Sequence, residues 1–209
     1  MAAPGPCGCR GEYIAELTGP AAGGAGKRLC KAMDRLQSMA ESCILSENLR
    51  WITDSSLVFL KKPGKDTPRP IRCGNTLRKI LTRRHMDKIA AKIRRVMRRF
   101  RQFGVQCPGG AEALYHWRST IEEVASTGVM GDLSIIDVDL ANCFGSIEWW
   151  GVKQAYAGAM PDMLLWENWA CAKPARVRLP CGEWHEVDRG AGQGEADGPL
   201  KAAMALERQ

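Results

Sequence analysis

The sequence predicts an α+β fold, with helices packed on a small antiparallel sheet, and three observations lead there. Two stretches repeat apolar residues at helical spacing, and several short β-rich runs are fenced by Pro and Gly. Helices and strands alternate without the strict rhythm of βαβ units. With 209 residues, 45% of them hydrophobic, the chain suits one compact domain or one and a half small ones around a sizeable core.

Residues 1–25 are rich in Gly, Ala and Pro and read as a flexible leader. Leu29, Ala32, Met33, Leu36, Met39, Ala40 and Cys43 then mark one buried helix face. Ser55 to Leu60 (SSLVFL) predicts a short strand, after which KKPGKDTPRP breaks regular structure. From about Arg83 to Phe103 a second helix is predicted. Met86, Ile89, Ala90, Ile93, Val96, Met97 and Phe100 form its stripe, and basic residues fill the remaining arc. A shorter helix is expected over 111–125, a strand over Leu133 to Leu140 (LSIIDVDL), and mostly helix from Trp149 to about Trp169. Arg176 to Leu179 and Trp184 to Val187 flank P-C-G-E as a β-hairpin, and a Gly-rich turn enters a last helix.

The formal net charge of +7 is unevenly placed. Residues 61–101 hold 16 Lys or Arg against only Asp66 and Asp87, whereas the remainder holds 14 basic and 21 acidic residues. Such a segment suits either a polyanion, phosphate backbones above all, or a solvated helix face. The nine cysteines form no C-x-x-C pair, and the three histidines lie far apart, so free thiols in a reducing compartment are the simpler account. No apolar run approaches the ~18 residues of a membrane span, and the N-terminus lacks signal-peptide order. A soluble protein, intracellular in nucleus or cytoplasm and away from membranes, is expected.

The residues that suggest chemistry are Asp137 and Asp139, two apart in the apolar run and so on one strand face. Burial of an unpaired carboxylate costs several kcal/mol, so such a group needs a partner; a divalent cation is one, and backbone donors at an exposed strand end are another.

Asp139 is followed five residues later by Phe144, in D-L-A-N-C-F-G-S-I. This resembles the first palm motif of reverse transcriptases, and the spacing favours Asp139 over Asp137, whose fifth neighbour is Asn142. V-F-L-K-K-P-G-K-D-T-P-R-P-I-R is similar to the fingers segment of that family, and L-R-K-I-L-T-R-R-H-M to the helix start that follows it. Q-F-G-V-Q-C-P-G-G-A-E-A-L-Y-H resembles the segment before the palm, and R-G-A-G-Q-G-E-A-D-G-P-L the second palm motif. Together they span roughly residues 55–205 in family order, nearest to non-LTR retrotransposon enzymes.

The resemblance implies a right-hand polymerase fold: a basic, helical fingers region over 26–130 and a partial palm over 131–209. It implies an RNA-directed DNA polymerase whose partners are an RNA template, a DNA primer and deoxynucleoside triphosphates. Asp139, with the Leu140 carbonyl as a further ligand, would hold catalytic Mg²⁺ or Mn²⁺. Phe144 would sit under the incoming sugar and exclude a 2′-hydroxyl. Lys61, Lys62 and Arg69 would hold the triphosphate, and Gln193 and Gly194 would shape the nucleotide pocket. Arg83, Arg84, Lys88, Arg94, Arg95, Arg98 and Arg99 would contact nucleic-acid backbone without reading sequence.

Two departures stand out. The family's aromatic-x-Asp-Asp motif does not occur before Gln209, so the expectation is a fragment that does not polymerise DNA by itself. Glu195-Ala196-Asp197 also fills a stretch that is commonly less acidic. The alternatives are a non-catalytic nucleic-acid-binding protein and a decayed retroelement remnant.

Overall fold

A computed structural model describes residues 5–61, 63–64, 66–129, 131, 133–192 and 194–207. Lys62 and Gln193 lie outside the described residues. Its helices are α1 (Gly11–Thr18), α2 (Gly23–Glu41), α3 (Thr76–Lys88), α4 (Ala90–Arg99), α5 (Gly110–Ser126), α6 (Cys143–Ser146), α7 (Trp149–Ala159), α8 (Pro161–Ala170) and α9 (Gly198–Leu206), and its strands are β1 (Ser55–Leu60), β2 (Arg69–Gly74), β3 (Ala175–Arg178) and β4 (Trp184–Val187).

The strand order is β2-β1-β3-β4. β1 and β2 form an antiparallel hairpin with Leu60 opposite Arg69, and β3 and β4 form a second. The two hairpins join through a short parallel contact, Ser55 opposite Val177 and Ser56 opposite Arg178. The α+β class therefore holds, but the sheet is mixed rather than antiparallel. Its parallel seam arises because the helices from α3 to α8 carry the chain back before β3 begins.

Local signals explain a few boundaries. Asn75 caps α3 by accepting a hydrogen bond from the Leu77 N–H at 3.0 Å. Pro161 begins α8, where a missing N–H costs nothing. Trp166, Tyr156, Met160, Met163, Ile52, Leu81, Ile93 and Leu200 are fully buried and weld α3, α4 and α7–α9 into one core. Each such side chain contributes roughly 1.5–3 kcal/mol.

Four expectations need correction. The helix expected from Arg83 to Phe103 is two helices, broken at Ile89. The buried residues of α3 (Leu81, His85 and Met86) and of α4 (Ile93 and Met97) keep helical spacing across the break. Within the stretch expected to be a flexible leader, residues 11–18 are helical. β2 begins inside the Pro-rich stretch, at Arg69 and Pro70, where the sequence pattern predicts no strand. Finally, Leu133 to Leu140 forms no strand: Ile136 is 83% and Val138 77% exposed. Strand preference reflects the fit of a side chain to a sheet face, and among the described residues this run pairs with no strand.

Candidate functional site

Two segments some 45 residues apart in sequence meet beside one of several surface cavities. The Phe144 carbonyl accepts a hydrogen bond from the Ala191 N–H at 2.8 Å, and the Ile147 carbonyl accepts one from the Gly190 N–H at 2.7 Å. Gly190 has φ +82°, and a Cβ there would stand 3.1 Å from the Gly145 carbonyl and 3.2 Å from that of Phe144, so only glycine lets the two segments approach so closely. Trp149 Nε1 and Arg72 Nη2 both donate to the Gly190 carbonyl, at 2.8 and 3.2 Å. The Phe144 ring lies 3.7 Å from where a Cβ of Gly198 would be.

Around this junction is a cavity of about 370 Å³. Leu57, Pro70 and Arg72 form its hairpin wall, Phe144 and Gly190–Gly192 its turn wall, and Glu186, Asp188 and Arg189 its charged side. The size falls in the range of small-ligand pockets.

Behind the turn lies a buried charge network. Arg72 Nη2 stands 2.8 Å and Arg78 Nη2 3.4 Å from the Glu195 carboxylate. Lys201 Nζ is 3.1 Å from Glu167, 3.2 Å from Asp197 and 3.7 Å from Glu195. Three cations thus face three carboxylates, which is the condition under which buried charge is tolerable. Burial pushes the Glu195 carboxyl up, but Arg78, Arg72 and Lys201 outweigh it and hold its pKa at about 2. Asp197 goes the other way: burial raises it, the neighbouring carboxylates add to the rise, and Lys201 opposes them. Its oxygens accept no hydrogen bond among the described residues, which fits the weaker hold on its charge. Lys201 itself is held well above its ordinary value, since Asp197 and Glu167 overcome the penalty of burial.

The expected site residues scatter around this centre. Phe144 is at the cavity. Gly194 lies in the same turn, its Cβ position 3.0 Å from the Arg72 carbonyl, but it faces a separate cavity of about 600 Å³ between α1 and α3. Lys61 and Arg69 are exposed at the open end of the first hairpin. Leu140 lines a third cavity, about 480 Å³, with Cys143, Ser146 and Leu206. Asp137 and Asp139 are exposed, so burial is no longer a reason to assign them a cation. Asp137 pairs with Arg118 at 3.2 Å, whereas Asp139 has no ion-pair partner among the described residues.

The basic residues also divide. On α3, Arg83 pairs with Asp87 at 3.3 Å, Arg84 with Asp34, and Lys88 with Glu41 at 2.9 Å. On α4, Arg94, Arg95, Arg98 and Arg99 are exposed and unpaired among the described residues. Arg72 and Arg78 lie within the two fingers-like segments without being marked there as members of a charge network, and Glu167 and Lys201 fall in no motif. Asp197 and Lys201 do stand at i,i+4, the spacing of a helical ion pair, but nothing local marks Glu167 or Arg78 as their company.

No protein-family model matches this chain, and no curated protein matches it. Among the described residues no helix is long and apolar enough to cross a membrane.

Proposed function

We propose that the chain is the fingers and front palm of a reverse-transcriptase-like nucleotidyltransferase, with the Phe144 cavity as its nucleotide pocket. The observation that carries this reading is the pair of backbone hydrogen bonds from Ala191 and Gly190 to Phe144 and Ile147. Through them, two of the segments that resemble palm motifs share one concave wall. Phe144 would lie under the incoming sugar, and Arg69 and Lys61 on the adjoining hairpin would hold the triphosphate.

Asp139 fits a divalent cation in part. It is a solvent-open carboxylate with no ion pair among the described residues, and Mg²⁺ is commonly held by one or two carboxylates plus substrate phosphates. Asp137 fits less well, being engaged by Arg118. The cation would stabilise the attacking and leaving oxygens of phosphoryl transfer. Further carboxylates would have to complete the site.

The test is Mn²⁺ binding read by electron paramagnetic resonance. Free Mn²⁺ signal should fall when chain and deoxynucleoside triphosphate are present together, by more than the nucleotide alone explains. Asp139→Asn should abolish that excess; an unchanged excess removes Asp139 from the metal site.

A second reading is a non-catalytic nucleic-acid-binding protein. The four unpaired arginines of α4 favour it, because they need no nucleotide pocket to act.

A further inference from the structure

A cavity of about 930 Å³ opens between the end of α4 and the start of α5. Arg98, Arg101 and Gln102 supply its polar side, and Phe103, Leu114 and Trp117 its large apolar side chains. α5 has no buried residue along its whole length, although Leu114, Trp117, Ile121 and Val124 repeat at three- and four-residue spacing. Trp117 is 56% and Leu114 45% exposed. An apolar stripe of that period is the seam by which one helix receives another. It continues for ten residues beyond Leu114, about 15 Å of helix, which stacked bases would not require.

We propose that this groove is a docking site for an amphipathic, acidic helix of a partner protein. The apolar face of that helix would fill the stripe, and its carboxylates would meet Arg98 and Arg101. Charge complementarity selects an acidic partner, and the seam spacing selects a helix. The arginines of α4 split accordingly. Arg94 and Arg98 lie one turn apart on one row, and Arg98 reaches the groove. Arg95 and Arg99 sit about 100° further round. The proposal is independent of nucleotidyl transfer, since it uses none of the residues at the Phe144 cavity.

The test is fluorescence anisotropy of a labelled peptide of about 18 residues, made of Glu and Leu with Leu at seam spacing, titrated with the full chain. A peptide of the same composition with its leucines shuffled off the stripe is the control. The seamed peptide should bind roughly tenfold or more tightly than the shuffled one. Trp117→Ala and Arg98→Glu should each remove most of that preference, while Arg95→Glu leaves it nearly unchanged. Trp117 and Arg98 are exposed, and an unchanged circular dichroism melt would show that the variants fold. Equal binding of the two peptides overturns the proposal, since charge alone would explain it. It is equally overturned if Trp117→Ala weakens an oligothymidylate probe while leaving the seamed peptide unaffected, because the groove would then belong to nucleic acid.

Discussion

The Lys201 ammonium stands 3.2 Å from the Asp197 carboxylate, four residues earlier, and both side chains are about 1% exposed. Ion pairs of this spacing usually lie on helix surfaces, where they contribute little. Here the pair is internal, shared with Glu167 and Glu195, and it fixes the start of α9 against α8 and the Gly-rich turn.

Lys201→Met should therefore be strongly destabilising. It leaves Asp197 and Glu167 buried without their cation, at a cost of about 3–5 kcal/mol. Urea unfolding followed by circular dichroism measures this. A loss below about 1 kcal/mol would mean that the network is not closed to water in solution.

Acid should weaken the fold through Glu195. Its folded pKa of about 2 lies below its ordinary value of 4.5, so it contributes stability that is complete above pH 4.5 and is lost as pH falls toward 2. Asp197, shifted upward, acts with the opposite sign: its protonated form is favoured by folding, and that contribution fades as pH rises through its folded pKa. Glu195→Gln should lower stability at neutral pH and flatten the slope of stability between pH 4.5 and 2. An unchanged slope would show that Glu195 is not held by Arg72 and Arg78.

Gly190→Ala should loosen the junction at the Phe144 cavity. The new Cβ would meet two backbone carbonyls at 3.1 and 3.2 Å in a left-handed conformation, costing roughly 1–3 kcal/mol. For a domain of this size that corresponds to a fall in Tm of roughly 2–4 °C per kcal/mol. Gly182→Ala is the control, because it shares the positive φ and has open space around it. Equal losses at both positions would remove the close approach as the cause.

Neutralising Arg94, Arg95, Arg98 and Arg99 should weaken binding to template-primer duplexes of any sequence. The slope of log affinity against log salt should also flatten, by roughly 0.7–0.9 for each phosphate that no longer meets an arginine. Arg83 and Lys88, engaged with Asp87 and Glu41, should change it less. If the four-residue variant binds as well as the parent, the α4 arc is only a solvated face.

Much of this architecture is legible in the sequence where the cue is local. The 55–60 strand, the second hairpin and the helical stretch from Trp149 follow from period, Pro and Gly. The break at Ile89 is hidden because no Gly or Pro marks it and the apolar spacing runs through. LSIIDVDL misleads because its composition fits a strand, whereas a strand also needs a neighbouring edge, which composition does not report. At the site, motif order points to Phe144 and the Gly-rich segment, which meet where the Ala191 N–H donates to the Phe144 carbonyl. It does not reveal the Arg72–Glu195 and Arg78–Glu195 pairs, since their members stand 123 and 117 residues apart.

The most direct measurement of the central claim is nucleotide selectivity at the Phe144 cavity. Titration calorimetry with Mg²⁺ should find a deoxynucleoside triphosphate bound more tightly than its ribonucleotide counterpart, and Phe144→Ala should erase that difference while the chain stays folded. Equal affinity for the two nucleotides in the parent chain, or a preference that survives Phe144→Ala, would contradict the assignment of this cavity as a polymerase nucleotide pocket.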